Sequence, residues 1–361
     1  MLVMPLCNGW NNYPERRPPR LSLPMSGGGI MRNWRDIDTL PQNTDDGWSA
    51  RDGWVEKAII GKNAVEKLIK YWHPFSDWTV ASPGNATYLP MLDIEILKTE
   101  VFKSFTRRNY FSLLLLALAS MLFGITNIIR PTGNSAQIFY ATIITLQVAL
   151  VDYLLVNRDI KKVRDRALFA AQIRKNERRT ITTCTLLMLV IGLIQLFFAD
   201  ADAAMMAYGS VFSKLAEGEV WRVLTGPFIH QDLAHWSTNF FVLCVAVVIG
   251  CAISPVHTIV VFFIACFTSM GASWAMSPYT HYDAVLGISG GIFGIAGYIN
   301  SSALKYPELF PSHFFWTCSH LNLVDLYLPY VLNPDSSLTA HLSGLATGFA
   351  WGLLFRIRLT A

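Results

Sequence analysis

Eight stretches of this chain are apolar enough and long enough to cross a bilayer as helices, and no other feature constrains the fold so strongly. A hydrocarbon core of about 30 Å takes about 20 apolar residues at about 1.5 Å each. The candidates are Phe111 to Ile129, Ile138 to Val156, Ile181 to Ala199, Trp236 to Ile253, His257 to Met276, Ala284 to Leu304, Phe314 to Leu332 and Ala340 to Phe355. The seventh is the most polar, with Ser319, His320, Asn322 and Asp325 inside it and Pro329 placed to kink it. Composition agrees: 52% of residues are hydrophobic and 15% charged, against about 25% charged in an average soluble protein. The expected fold class is all-α and polytopic.

The chain outside these stretches is uneven. Residues 1–104 are rich in Pro, Asn and Asp, with a Pro/Arg stretch at Pro14 to Pro19 and a Ser/Gly run at Ser26 to Gly29, so they read as a soluble, partly disordered region. Met1 to Cys7 has no positive n-region and no long h-region, which argues against a cleaved signal peptide. The spacing of Trp54, Ala58, Ile59, Val65, Leu68, Ile69 and Trp72 predicts one amphipathic helix ended by Pro74, belonging to a small cytosolic fold in preference to a membrane surface. The six cysteines form no C-x-x-C pair and read as small buried hydrophobes, with neither a disulfide framework nor a zinc site.

Charge sets the orientation. Between Arg158 and Arg179 nine Lys/Arg face three acids, a local excess of six. Between two apolar spans such a block reads as a cytoplasmic loop against anionic lipid, with no nucleic-acid partner. Lys103, Arg107, Arg108, Lys305, Arg356 and Arg358 fall on the same side, whereas the opposite side carries only Arg130, Lys214 and Arg222. Both termini are therefore expected in the cytoplasm.

With that topology the polar residues in the spans converge in depth. His235 and Asn239 open the fourth span, Ser289 lies just inside the sixth and His341 opens the eighth; all three spans run from outside to inside. Gly287-Ile288-Ser289-Gly290-Gly291 fits the letters of G-x-S-x-G, but no alternating strands surround it, so the α/β-hydrolase elbow is refused. Gly287/Gly291 and Gly290/Gly294 instead make small-x-x-x-small pairs, and Gly344, Gly348 and Gly352 repeat every four residues below His341. Docking these two glycine faces would bring His341 within hydrogen-bond reach of Ser289, as a base activating a serine requires. Phe293, one turn below Ser289, is placed to hold the imidazole plane. No carboxylate is placed to complete a triad, so a Ser/His dyad is expected. His235 and Asn239, four apart on one face, suit an oxyanion hole together with the Ser289 N–H. His230 and His235 lack the H-E-x-x-H pattern, which disfavours a metal.

Together these residues resemble the rhomboid family of intramembrane serine proteases. Glu219-Val220-Trp221-Arg222 with Thr225 resembles the family's Trp-Arg loop, and His230, His235 and Asn239 its H-x4-H-x3-N pattern. Gly287-Ile288-Ser289-Gly290 with Phe293 resembles the nucleophile motif, and Ala340-His341 with Gly344 and Gly348 the base motif. The resemblance covers roughly Thr180 to Arg358, and implies a six-helix rhomboid-like core at 180–361. An extra transmembrane hairpin at 105–157 and a basic linker at 158–179 would precede it.

The implied activity is cleavage of single-pass transmembrane substrates near the outer end of their helix, in a plasma or bacterial inner membrane, by Ser289 as nucleophile and His341 as base. No cofactor is implied. By the same resemblance His230 braces a loop, and Trp221 and Arg222 belong to a partly embedded outer loop. A catalytically silent rhomboid-like protein that escorts membrane clients is the main alternative, but such proteins usually lack the nucleophile or the base. A transporter would show charged residues in mid-span and paired broken helices, and neither pattern is clear.

Overall fold

The computed structural model describes residues 48–52, 58–60, 62–76, 78–81, 89–130, 133–173, 177–198, 200–332 and 336–356. The stretches at Met1 to Cys7, Pro14 to Pro19 and Ser26 to Gly29 lie outside them.

The described part of the N-terminal region is a small antiparallel sheet with one helix. Strands β1 (Ser49–Asp52), β2 (Ala58–Ile60), β3 (Trp78–Ala81) and β4 (Leu89–Pro90) pair in the order β2-β1-β3-β4. The single helix expected over Trp54 to Trp72 is corrected here: Ala58–Ile60 pairs with β1, and the helix α1 is confined to Lys62–Tyr71. Val65, Leu68, Ile69 and Trp72 recur at helical spacing and turn inward, while three short β-forming residues before them are claimed by the sheet ladder. Trp72 meets Phe105 edge to face at 5.7 Å.

Phe105 belongs to α2 (Glu95–Ile129), a helix of 35 residues. Its first turns bury Leu97, Val101 and Phe105 against the small sheet, and further on Leu114, Leu115, Leu118, Met121 and Leu122 are exposed. A residue set that hydrophobic and that exposed is a lipid-facing surface. α3 (Gly133–Asp152) returns beside it, with Phe139 packed over Gly124. A π turn (Tyr153–Asn157) leads to the basic helix α4 (Ile160–Ile173). Arg164 pairs with Asp93, and Arg166 with Asp152, so α4 is stapled to both the small module and the hairpin.

The remaining helices form a bundle. They are α5 (Glu177–Gln195), the short α6 (Ala201–Tyr208), α7 (Phe212–Ala216) and α8 (Arg222–Thr225), then α9 (Leu233–Ile253), α10 (Pro255–Ala275), α11 (Ser289–Lys305), α12 (Phe314–Leu332) and α13 (Leu338–Leu354). α11 is innermost: from Gly290 to Ala303 every residue but Ala296 is buried, against α13 and α10 on one side and α9 and α12 on the flanks. Among the described residues, four helical segments satisfy length and apolarity for a span on their own, namely Glu95–Ile129, Ile138–Asn157, Leu233–Ile253 and Pro255–Ala275. α11 and α13 are shorter, 17 residues each, and their glycines face neighbouring helices. The chain is an all-α polytopic membrane protein carrying a small accessory sheet.

The sixth apolar segment starts later than its hydrophobicity suggests. Ala284 and Val285 form a strand, β6 (Ala284–Val285), paired with β5 (Ser210–Val211) from the loop before α9, and Gly287 at φ +95° ends the extended segment. A left-handed φ is open to glycine at little cost. Ser289 is consequently the first residue of α11.

Candidate active site

Ser289 owes its position to the glycine before it and the glycines after it. A Cβ at Gly344 would overlap the Gly290 carbonyl oxygen, and one at Gly348 that of Gly294, so α13 lies directly on the backbone of α11. The same two glycines of α11 also meet α10, Gly290 over Ser269 and Gly294 over Ala265. This close approach brings His341 Nε2 within 2.9 Å of Ser289 Oγ. Phe293 stacks on the His341 ring at 4.5 Å and 27°, and His341 is buried. α13 begins with Ser337, whose hydroxyl accepts from the Ala340 N–H at 3.2 Å, so His341 sits in a capped first turn.

Ser289 also stands at a helix N-terminus, where the first backbone N–H groups have no intrahelical acceptor and the helix dipole favours negative charge. Two side chains of α9 reach the same point. A Cβ on Gly287 would lie 2.8 Å from the His235 ring and 3.3 Å from Asn239 Nδ2. Asn239 is buried and its Nδ2 has no protein partner among the described residues. Asp232 caps α9, accepting from the His235 N–H at 2.7 Å and fixing the turn that carries the imidazole.

His230 lies outside the helix, in the loop before α9. Its ring stands 5.3 Å from that of His235 at 68°, and its backbone is clasped by the Gln195 amide, which accepts from the His230 N–H at 3.0 Å and donates to its carbonyl. Burial pushes the His230 imidazole down to about 3, with His235 adding to the effect, so His230 is a neutral prop under the His235 ring.

Arg222 is 4% exposed and ties the loop before α9 together. Its guanidinium donates to the carbonyls of Gly209 (3.0 Å) and Met206 (2.9 Å) and to Glu219 (2.6 Å), while its own carbonyl accepts from the Ser210 hydroxyl (2.8 Å). Trp221 is half-exposed and stacks on that guanidinium, 4.7 Å from ring centroid to Cζ. Through β5 and β6 the loop is joined to the segment ending at Gly287, whose N–H donates to the Gly226 carbonyl at 3.4 Å.

The structure thus brings Ser289, His341, His235, Asn239, Gly287, Gly290 and Phe293 to one place, with His230, Trp221 and Arg222 in supporting positions. Chemically, a hydroxyl bonded to a buried imidazole can give up its proton as its oxygen attacks a carbonyl, and unpaired donors nearby can receive the resulting oxyanion. Sequence reasoning missed Gln195, Ser210 and Ser269. Ser269 left a signal, since Ala265, Ser269 and Ser273 repeat every four residues as small residues do at close helix contacts. Ser210 left none, because a lone serine in a polar loop carries no period.

Residues 217–358 match the family model described as Rhomboid domain. This part of the chain is similar to a rhomboid domain. Among curated proteins, the chain is 27% identical over 179 residues to Rhomboid protease GluP of Bacillus subtilis, covering 46% of this chain and 34% of that one. It is 26% identical over 141 residues to RHOMBOID-like protein 1 of Arabidopsis thaliana (39% and 36%). With RHOMBOID-like protein 6, mitochondrial, of the same plant it shares 24% over 161 residues (44% and 52%). The alignments span about a third to a half of these relatives. The matched region holds every residue of the site described above except Gln195, Met206, Gly209 and Ser210.

Proposed function

We propose that this protein is an intramembrane serine endopeptidase that cleaves single-pass transmembrane proteins near the outer end of their helix. The observation that carries this reading is the 2.9 Å contact between Ser289 Oγ and His341 Nε2 across two helices whose glycines are in backbone contact. In the mechanism, His341 Nε2 accepts the Ser289 proton as Oγ attacks the scissile carbonyl carbon. The carbonyl oxygen becomes an oxyanion held by the Ser289 N–H, His235 and Asn239. Collapse expels the amine, which takes the proton from His341, and leaves an acyl-serine. A water then repeats the sequence in reverse, giving up a proton to His341 and releasing the acid.

Phe293 keeps the imidazole plane fixed through both half-reactions, Gly287 and Gly290 admit the neighbouring groups, and His230, Trp221 and Arg222 hold the surrounding loop. In this reading both termini are cytoplasmic, residues 180–361 form the protease core, and the protein resides in a plasma or bacterial inner membrane. Loop charge supports that orientation.

The test is the purified full chain in lipid nanodiscs with a fluorescent single-span substrate. Wild type is expected to cleave it, whereas Ser289→Ala, His341→Ala and the double variant are all inactive to the same degree, since the two residues act as a unit. Binding without cleavage by the wild type would instead make the chain an escort for membrane clients. Unchanged turnover by either single variant would remove the dyad.

A further inference from the structure

α12 is fastened by hydrogen bonds over its first half, and farther on it buries Asn322 and Leu326. The Asn300 amide donates to Ser319 Oγ at 3.0 Å, and the Gln147 amide nitrogen of α3 lies 3.2 Å from His320 Nε2. Phe314 and Cys318 pack against the apolar cluster shared by α5, α9, α10 and α11. Beyond these stands Asp325, exposed and without a hydrogen-bond or ion-pair partner among the described residues.

The direction of Asp325 follows from helix geometry. At 3.6 residues per turn it lies within about 20° of both Cys318, seven residues earlier, and Phe314, eleven earlier. It therefore continues the edge of α12 that carries Phe314 and Cys318, and is itself exposed. His320, which faces α3, is about 140° away, so the hairpin does not cover Asp325. Depth follows as well. Asp325 is seven residues, about 10 Å, from the outer end of α12, whereas His341 is three residues, about 4.5 Å, from the outer end of α13. With both helix ends at one level, the carboxylate lies about 6 Å deeper than the dyad, or about four helical residues.

An unpaired carboxylate on a lipid-facing helix is costly, and an intramembrane ionisable group marks a functional site by default. Among the described residues none pairs with Asp325. We propose that Asp325 is a selectivity residue that pairs with a Lys or Arg inside a substrate's transmembrane helix, about one turn to the cytoplasmic side of the cleaved bond. A basic residue at that depth is itself poorly accommodated by lipid, so pairing relieves two buried charges together. The inference rests on the protease reading for its substrate but not for the binding event.

The experiment uses the full chain in nanodiscs with single-span helices carrying Lys, Leu or Asp at about three to six residues on the cytoplasmic side of the cleaved bond. Cleavage is followed as kcat/KM, and binding is followed by energy transfer to Ser289→Ala. Wild type is expected to favour the Lys helix over the Leu helix by roughly tenfold in both readouts, on the scale of strong interhelical polar pairs. Asp325→Asn should bring that ratio close to one, and Asp325→Lys should turn the preference toward the Asp helix. No preference for Lys, or a preference that survives Asp325→Asn, overturns the proposal. Charge-dependent binding to Ser289→Ala with no cleavage by the wild type would sustain the proposal and overturn the protease reading instead.

Discussion

Asn239 presents a buried amide with an unused donor beside Gly287, and two roles compete for it. As an oxyanion donor it would act only when charge develops on the substrate. As a packing residue it would act on the folded state at all times. Asn239→Ala is expected to lower cleavage by roughly ten to a thousandfold, the range for one lost donor, with little change in melting temperature. Labelling of Ser289 by a small serine-reactive probe should fall less. Measuring melting and single-turnover cleavage on one sample separates the roles, and a destabilised enzyme with full activity per folded molecule would leave Asn239 as packing alone.

Between elements, the decisive quantity is the separation of α11 and α13. A Cβ at Gly348 would overlap the Gly294 carbonyl, a backbone atom with no rotamer to yield, so the helices themselves must part. Gly348→Ala is expected to cost about 1–3 kcal/mol of stability, the usual range for overpacking. Cleavage should fall by about a hundredfold, because a displacement of about 1 Å separates His341 from Ser289. Gly271, which has open space where a Cβ would go, is the control: Gly271→Ala should leave both unchanged or raise stability slightly. A Gly348→Ala enzyme as fast and stable as wild type would mean that the glycine stripe does not set the dyad.

This contact was legible in the sequence because glycine at every fourth position has one helix face as its consequence, and His341 falls on that face. The start of α11 was not legible. Ala284 and Val285 are as apolar as the helix that follows, and only their pairing with Ser210 and Val211, some 75 residues earlier, makes them a strand. Strand pairing also took Ala58 to Ile60 away from α1, there with the neighbouring strand β1. Periodicity reports what a segment buries, whereas strand pairing depends on a partner that the local sequence does not contain.

At the scale of the whole molecule, the bundle is joined to the rest of the chain largely through α12 and the segment before it. Phe169 of α4 packs on Phe310 and Phe314, at ring separations of 5.7 and 5.0 Å, and α4 is itself held to the small sheet module by Arg164 and Asp93. α3 reaches the bundle at α12, where Gln147 meets His320. The hairpin therefore braces α12, while the dyad on α11 and α13 has its own glycine contacts and does not depend on that brace. Gln147→Leu and His320→Leu should each lower resistance to unfolding in detergent by about 0.5–2 kcal/mol, the range for interhelical hydrogen bonds in membranes. The double variant should lose no more than either single one, since removing one partner already strands the other. Labelling of Ser289 by the small probe should stay at the wild-type level in all three, because Ser289 and His341 are held by α11 and α13. Fully additive losses would show that Gln147 and His320 are not coupled and that the hairpin is held to α12 by apolar packing alone. A parallel loss of Ser289 labelling would show instead that the brace extends to the dyad.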